Sequence, residues 1–561
     1  MQEAMPDPNS AEIRQILGEP PSRFAFRLLC TLIDDCHDPV DQFRAIDEAQ
    51  RVLDRWPAWT RHVSIQNCGQ MTSLLRRPSW PLVRSLYWTA IAESGDLSIG
   101  QVTAELASDL NAVRLRRLDL DIPDDEVLLG IDLPARFPDL RRLSIELSCD
   151  NRRDILLRFL ASDLPRRLRS LTIKGIGNLD DDPRGDAFDI VDAIDSASVS
   201  RRLRTIRLPY VSDATFAHFL DRFRRPLSDI GPQNWTTETI DLLCRREELT
   251  SGLKALDFRG YNFDRRGLEL IAKCPYLGRL EQLDFGESTI GPDGATILAG
   301  STFISNLKRL ILYRNPLGDE GWKVLAQAPF QRLRSLDLSW NGGVTMHGPQ
   351  ALVRAGNLAG LRSLSLDGNP IGDEGVSAIL DADFTDGLHA LGLSGVKKTP
   401  VTADILAHRP LKRLRALRLG ADDVGPEFGR RFARSGRYPL LTYLDLMAMN
   451  LGDQGVGHLA EATGFPALKR IDLSNNDLSD VGIRNLAGSP FVTPIREFWL
   501  RGNPGIQDTG VAALADSPFL RNMVDLGMNL NLIGEDTRDI LRKSINTRLL
   551  FNPNIRGPIL D

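Results

Sequence analysis

The side chains that could do acid–base, nucleophilic or metal chemistry are few and poorly spaced for it. The seven histidines are His37, His62, His218, His347, His389, His408 and His458. None stands in an HExxH or HxxxH pattern or at ligand spacing from a cysteine, so no metal site is read from them. The six cysteines, Cys30, Cys36, Cys68, Cys149, Cys244 and Cys274, form no CxxC pair and no disulfide framework, a usage that suits a reducing compartment. Cys244 and Cys274 have no histidine placed to activate a thiolate. The glycines of Gly318-Asp319-Glu320-Gly321 recur at several places along the chain, which marks them as turns rather than a phosphate cradle. No catalytic residue, cofactor or metal is expected. The remaining chemistry is recognition by tyrosine, tryptophan and arginine, and its placement depends on the elements that carry those residues.

Those elements are announced by leucine. The chain has 85 Leu among 561 residues but only 7% aromatics, which calls for a search for repeats before any count of domains. The pattern L-x-x-L-x-L starts at Leu253 and restarts at Leu280, Leu307, Leu333, Leu361, Leu388, Leu414, Leu441, Leu468 and Ile495, in steps of 26–28 residues. Within each unit the pairs Leu310/Leu312, Leu336/Leu338, Leu364/Leu366, Leu444/Leu446 and Ile471/Leu473 alternate with residues expected to be exposed, the period of a strand buried on one face. A helix signal comes next: Gly372-Asp373-Glu374-Gly375 and Gly452-Asp453-Gln454-Gly455 repeat the first example, with Asp placed to cap the first helical N–H groups. Apolar residues then recur at helical spacing, as in Val376 with Ile379 and Leu380, Val456 with Leu459, and Val511 with Leu514. One strand and one helix cannot bury a core alone, so neighbouring units must stack. Asn315, Asn341, Asn369, Asn476, Asn503 and Asn529 fall where the strand ends, and an amide there can donate to and accept from exposed main chain. They are read as scaffold.

These LxxLxLxxN…IGDEG…LA units resemble leucine-rich repeats, specifically the 26–28-residue, helix-backed class of ribonuclease-inhibitor-like proteins. Leu307–Ala326 is the best match and Leu361–Leu380 is nearly as good. The resemblance covers Leu253 to about Asn529. It implies an α/β solenoid of horseshoe form, with a parallel β-sheet on the concave face and helices on the convex face. The stretch Leu32–Glu48, with Asp38-Pro39 before Phe43, is similar to a short helical domain that accompanies bacterial repeat arrays, although Val40 stands where that domain usually has Arg.

Upstream the skeleton continues in worn form through Leu115/Leu118/Leu120, Leu140/Leu143/Ile145, Leu168/Leu171/Ile173 and Leu203/Ile206/Leu208, where Pro123, Ser148, Ile176 and Val211 replace the Asn. Val83/Leu86/Trp88 and Val63/Ile65 are candidates for still earlier strands. The organisation expected is a helical N-terminal cap over 1–60, degenerate repeats over 61–252 with an insertion or degenerate unit near 226–250, regular repeats over 253–529, and a C-terminal cap over 530–561 that includes a helix at 535–544. The array should hold about 15 units. In the cap, Ala11–Leu17, Arg23–Asp35 and Val40–Arg55 read as helices. Phe24, Leu28, Leu29 and Leu32 share one face, as do Phe43, Ile46, Ala49 and Leu53.

With the first, fourth and sixth residues of each motif buried, the third, fifth, seventh and eighth project from the sheet's open face. The fifth-position column is Asp257, Asp284, Ile311, Asp337, Ser365, Gly392, Arg418, Asp445, Asp472, Trp499 and Asp525, an acidic stripe broken in places. The breaks matter more than the Asp, which fits the consensus. Arg309, Ile311, Tyr313 and Arg314 stand beside Trp340, and a second, looser group is Arg418, Tyr443, Met447, Trp499 and Arg501. Exposed Tyr, Trp and Arg on a rigid sheet are hot-spot residues of protein interfaces. The residue after each start is basic, from Arg116, Arg141, Arg169 and Arg204 to Lys308, Arg334, Arg362 and Arg496. Placed behind a helix end, these cations offset its negative pole.

Net charge of −5, with 42% hydrophobic and 25% charged residues, excludes global disorder and argues against a chain that coats nucleic acid or membrane. The polar Met1–Pro21 lacks signal-peptide order, so a cytoplasmic location is expected. The function expected is a non-catalytic scaffold that binds a protein partner on the concave face. The alternative is a regulator of an enzyme, or an enzyme with a site in the N-terminal segment or the 226–250 stretch.

Overall fold

A computed structural model of the chain describes residues from Asn9 to Gly534, apart from 19–22, 35, 37–38, 57, 66–67, 90–100, 102–113, 123–132, 134–136, 148–151, 163, 176–186, 198–199, 232–234, 355, 410, 435–437, 516, 518–522, 524 and 529–530. The expected anchors Pro123, Ser148, Ile176 and Asn529 and the helix at 535–544 lie outside the described residues. Two compact units divide near Leu253.

The first unit opens with helices Asn9–Leu17, Arg23–Asp34 and Pro39–Leu53. Their buried faces carry Ile13, Ile16, Leu29, Leu32, Ile33, Ala49 and Leu53. Phe43 does not join that face: it is 73% exposed, and Ala45 takes the inward position in its place. Buried polar contacts tie this helical cap to the first repeats. Arg61 donates from Nη1 to the Leu53 carbonyl at 2.9 Å and from Nε to the Leu82 carbonyl at 2.8 Å, while the Ser79 N–H donates to Asp34 at 2.9 Å. Then come strands β1 (His62–Ile65), β2 (Ser85–Thr89), β3 (Arg117–Ile122), β4 (Arg142–Leu147), β5 (Ser170–Gly175), β6 (Thr205–Arg207) and β7 (Asp229–Gly231), each paired parallel with the next.

β7 decides between the two readings of residues 226–250, an insertion or a degenerate unit. Residues 226–250 hold no insertion but one more strand-and-helix unit: Asp229 pairs in register with Thr205, and helix Thr237–Cys244 comes after it, capped by Thr236. Leu227 and Ile230 are the buried anchors. Its sixth position is Pro232 rather than Leu, which hides the motif.

The second unit is a parallel run of β8 (Ala255–Asp257), β9 (Gln282–Asp284), β10 (Arg309–Ile311), β11 (Ser335–Asp337), β12 (Ser363–Ser365), β13 (Ala390–Gly392), β14 (Ala416–Arg418), β15 (Tyr443–Asp445), β16 (Arg470–Asp472), β17 (Glu497–Trp499) and β18 (Asp525–Gly527). Leu pairs with Leu at the central position of most adjacent strands, and that residue points into the core. At the end of the run Trp499 pairs with Gly527, not Asp525. The last unit therefore starts at the buried Met523, two residues after the register read from the sequence.

Three devices repeat between units. The first is an asparagine ladder: Asn341 Oδ1 accepts from the Asn315 N–H at 3.2 Å, Asn369 Oδ1 from the Asn341 N–H at 2.8 Å, and Asn503 Oδ1 from the Asn476 N–H at 2.8 Å. Its last rung is Asn531, which accepts from the Asn503 N–H at 2.9 Å. The sequence Asn529-Leu530-Asn531-Leu532 offers two registers, and hydrogen bonding selects the second. Where Val396 replaces Asn, the buried ammonium of Lys398 donates to the Leu393 and Gly420 carbonyls and to Asp422.

The second device is the helix-leading Asp, which caps the helix of the next unit rather than its own. Asp453 Oδ1 accepts from the N–H groups of Ser479 and Gly482, both at 2.9 Å. Asp319 does the same for Thr345 and Gly348, and Asp480 for Gln507. This accounts for the second glycine of the motif: a β-carbon on Gly482 or Gly510 would stand 2.4 Å from the Asp oxygen of the preceding unit.

The third device is a left-handed residue where each strand turns away. It is Gly260, Gly368, Gly395 and Gly502 in four units, and Glu287, Arg314, Trp340, Ala421, Ala448 and Asn475 in six others. The basic column also has a structural partner: Arg334 Nη1 donates to the Gly360 carbonyl at 2.7 Å and Arg362 Nη1 to the Gly387 carbonyl at 3.3 Å, in the turn before the next strand.

Candidate functional site

The helices lie on one side of each strand. The other side of the second unit's sheet carries the fifth-position column and its neighbours, and there the structure separates scaffold from candidate. Asp257, Asp284, Asp337, Asp445 and Asp472 each accept the backbone N–H two residues on, at 2.8–3.1 Å. The acidic stripe is thus a row of turn caps. One carboxylate oxygen of each is committed, and burial raises the pKa of Asp284, Asp445 and Asp472, that of Asp445 to about 6.

One group of candidate residues is contiguous. Ile311 pairs with Asp337 across β10 and β11, and the Arg314 N–H donates to the Ser339 carbonyl, which sets Arg314 beside Trp340. Tyr313 lies over Gly286, where a β-carbon would come within 2.1 Å of its ring; Trp340 lies over Gly368 in the same way at 2.3 Å. The missing side chains are the platforms on which the two rings rest. Arg314 pairs with Glu287 at 2.7 Å. Trp340 remains 58% exposed. Arg309 sits lower and half-buried in β10, with Nε out of solvent and without a hydrogen-bond partner among the described residues.

The second group divides. Arg418 reaches over Gly392 to Ser365 Oγ at 2.8 Å and Asp367 Oδ2 at 2.5 Å. A β-carbon at Gly392 would stand 2.6 Å from both the guanidinium and the carboxylate. Ser339 Oγ joins Ser365 Oγ at 2.5 Å and Asp337 at 2.6 Å, so Arg418 is engaged inside the sheet face. Tyr443 and Trp499, expected to be exposed, are 1% and 4% exposed. They meet edge-to-face across β16, ring centroids 6.3 Å apart, and the Arg470 guanidinium lies 5.3 Å over the Tyr443 ring. Long side chains on a flat sheet cover one another, and alternation alone does not foresee that. Met447 stays 39% exposed, and Arg501 borders Trp499 at Gly527.

Sequence reasoning does not single out Asp367. Its one signal is the three-unit break in the Asp column at Ser365, Gly392 and Arg418, in the first of which an acid stands two residues further on. Surface grooves also lie between successive helices; one of about 520 Å³ is lined by Asp453, His458, Asn485 and Ser489. Among the described residues, no group of three or more His, Cys, Asp or Glu is arranged to hold a metal ion, and no helix is long and apolar enough to cross a membrane.

A family model described as "Leucine Rich repeat" matches residues 361–380 and 466–487. No curated protein matches the chain. Among solved structures, the chain is similar to a component of the Rad7 and Elc1 complex in yeast, with a TM-score of 0.39, 16% identity and coverage of 69% of this chain and 86% of that one. It is similar also to an internalin from Listeria monocytogenes, with a TM-score of 0.34, 18% identity and coverage of 55% of this chain and 92% of that one.

Proposed function

We propose, from the premise that this chain is a leucine-rich repeat protein, that it is a non-catalytic scaffold gripping a protein partner on the helix-free face of its second unit. The observation that carries this reading is Trp340. A left-handed backbone penalises any β-carbon by about 1–2 kcal/mol, and four units avoid that cost with glycine at this position. Trp340 instead presents a large ring there, 58% exposed, with Tyr313, Arg314 and Ile311 around it. Beyond its seat over Gly368, the exposed part of the ring gains most from a surface brought against it.

The test is Trp340→Ala combined with Tyr313→Ala. Wild-type protein is used to isolate partners from the native cell, and the identified partner is then titrated against both forms. Two hot-spot truncations of about 2 kcal/mol each would weaken binding several hundred-fold or more. Equal affinity for the two forms would remove the open face as the site.

A further inference from the structure

We infer that the turns leading into β3–β7 bind a nucleic-acid duplex through its phosphates. The site belongs to the first unit, so it does not rest on the scaffold reading of the second.

Positive charge gathers in these turns. From three residues before each start to two after it, the units at Leu115, Leu140, Leu168, Leu203 and Leu227 hold thirteen arginines against Asp139 and Asp229. That is a net +11 in five units, whereas the same windows of the ten units from Leu253 to Ile495 sum to +10. The chain's net charge of −5 hides the asymmetry. Of the thirteen, only Arg117, with Asp119, and Arg167, with Asp139, are in ion pairs among the described residues.

The main chain sets the arginines in line. The Arg141 N–H donates to the Arg116 carbonyl at 2.9 Å, Arg169 to Arg141 at 2.8 Å and Arg204 to Arg169 at 2.6 Å. Successive rungs therefore carry an arginine about every 4.8 Å. Arg141, Arg169 and Arg204 are exposed, and Arg116 is half-buried. In the second unit this position serves the fold, because Arg334 and Arg362 hold the next turn. Arg116, Arg141 and Arg204 make no such bond among the described residues. The positive fields add across rungs. Arg225 is pushed below the usual arginine range by burial and then by Arg204 and Arg201, against Asp195. Arg84, one rung before Arg116, is lowered to about 10 by burial, with Arg116 and Arg114 adding to the effect and Asp54 opposing it. A row of like charges without internal counter-ions attracts anions.

Charge density selects among them. A net +11 over four rung steps, about 19 Å, is about one charge per 1.7 Å, which is the density of duplex DNA. An extended peptide made only of acids offers about one charge per 3.4 Å, and a nucleic-acid single strand about the same. A single strand also needs rings on which its bases stack. The one aromatic residue in these windows, Phe137, is buried.

Fluorescein-labelled DNA and RNA duplexes of one sequence, two helical turns long, would be titrated with the full chain at several salt concentrations and followed by anisotropy. We expect dissociation constants of about 1–100 µM at physiological salt, and the tighter duplex names the partner's sugar. Arg141→Gln/Arg169→Gln/Arg204→Gln leaves the main-chain bonds in place. It should weaken binding at least about ten-fold and flatten the slope of log affinity against log salt by about 3. Lys412→Gln/Arg413→Gln/Arg415→Gln removes as much charge from the most basic turn of the second unit and should leave affinity and slope nearly unchanged. Matched unfolding midpoints of the two variants exclude loss of fold as the cause. Absence of binding, an affinity independent of salt, or equal loss in the two variants would each overturn the proposal. Displacement of the duplex by poly-glutamate or by a single strand at equal charge would overturn it too, in favour of that ligand.

Discussion

Asp445 shows how a turn residue acquires a second property. Burial, with Asp472 and Asp367 nearby, raises its pKa to about 6 against the Met447 N–H and Arg418, which lower it. A carboxyl whose pKa is higher in the folded than in the unfolded chain contributes stability that is fully present below about pH 3.8 and is lost as the pH rises through 6. The loss amounts to about 3 kcal/mol by pH 7 at the usual conversion. Asp445→Asn, which retains the acceptor for Met447, should therefore be more stable than wild type at pH 7.5 and no more stable at pH 4. Denaturant midpoints at the two pH values check this, and a gain independent of pH would refute it. The Asp at this position is legible in the sequence as consensus, because Asp257, Asp284, Asp337 and Asp472 share the column. The burial of Tyr443 and Trp499 is not legible, because it depends on how side chains from non-adjacent strands lie over one another.

At the scale of elements, the strand and helix of each unit are legible because two buried leucines and a glycine-flanked Asp recur at fixed distance. The sequence does not say to which helix that Asp belongs. Asp453→Ala should leave the Ser479 and Gly482 N–H groups at the start of helix Asp480–Ala487 without their acceptor and cost about 1–2 kcal/mol, seen as faster hydrogen exchange at Gly482 than within helix Gly452–Ala460, which carries the substitution. Faster exchange confined to the Asp453 helix would contradict the assignment. A tighter joint lies between helices Gly425–Arg434 and Gly452–Ala460, where a β-carbon at Gly429 would stand 2.4 Å from the Gly455 carbonyl. Mid-helix glycine to alanine ordinarily stabilises by about 0.5–1 kcal/mol. Here the collision with backbone should reverse the sign and cost about 1–3 kcal/mol, measurable as a lowered unfolding midpoint for Gly429→Ala.

Over the whole molecule, most of the described leucines are buried and form a ladder of contacts between successive neighbours within each of the two units, not the cores of several globular domains. Stability in such an array is a sum of local terms, so a single unfolding free energy does not describe it. Register survives where Leu and Asn both mark it. It blurs at 226–250, where Pro232 breaks the motif, and at Asn529 and Asn531, where the marker is doubled.

The Asp-to-next-helix bond also gives the array a direction. A unit removed from the C-terminal side leaves behind a carboxylate that simply returns to water. A unit removed from the N-terminal side leaves the following helix with backbone N–H groups that nothing accepts. For the helix caps alone, trimming should thus be neutral from one end and damaging from the other: a chain cut to begin at Ala328 loses Asp319, and its Gly348 amide should exchange about ten-fold faster for a lost cap of about 1.4 kcal/mol. A chain cut after Ile506 loses the acceptor of no helix that remains, and equal fraying at the two cut ends would show the stack to be without such polarity.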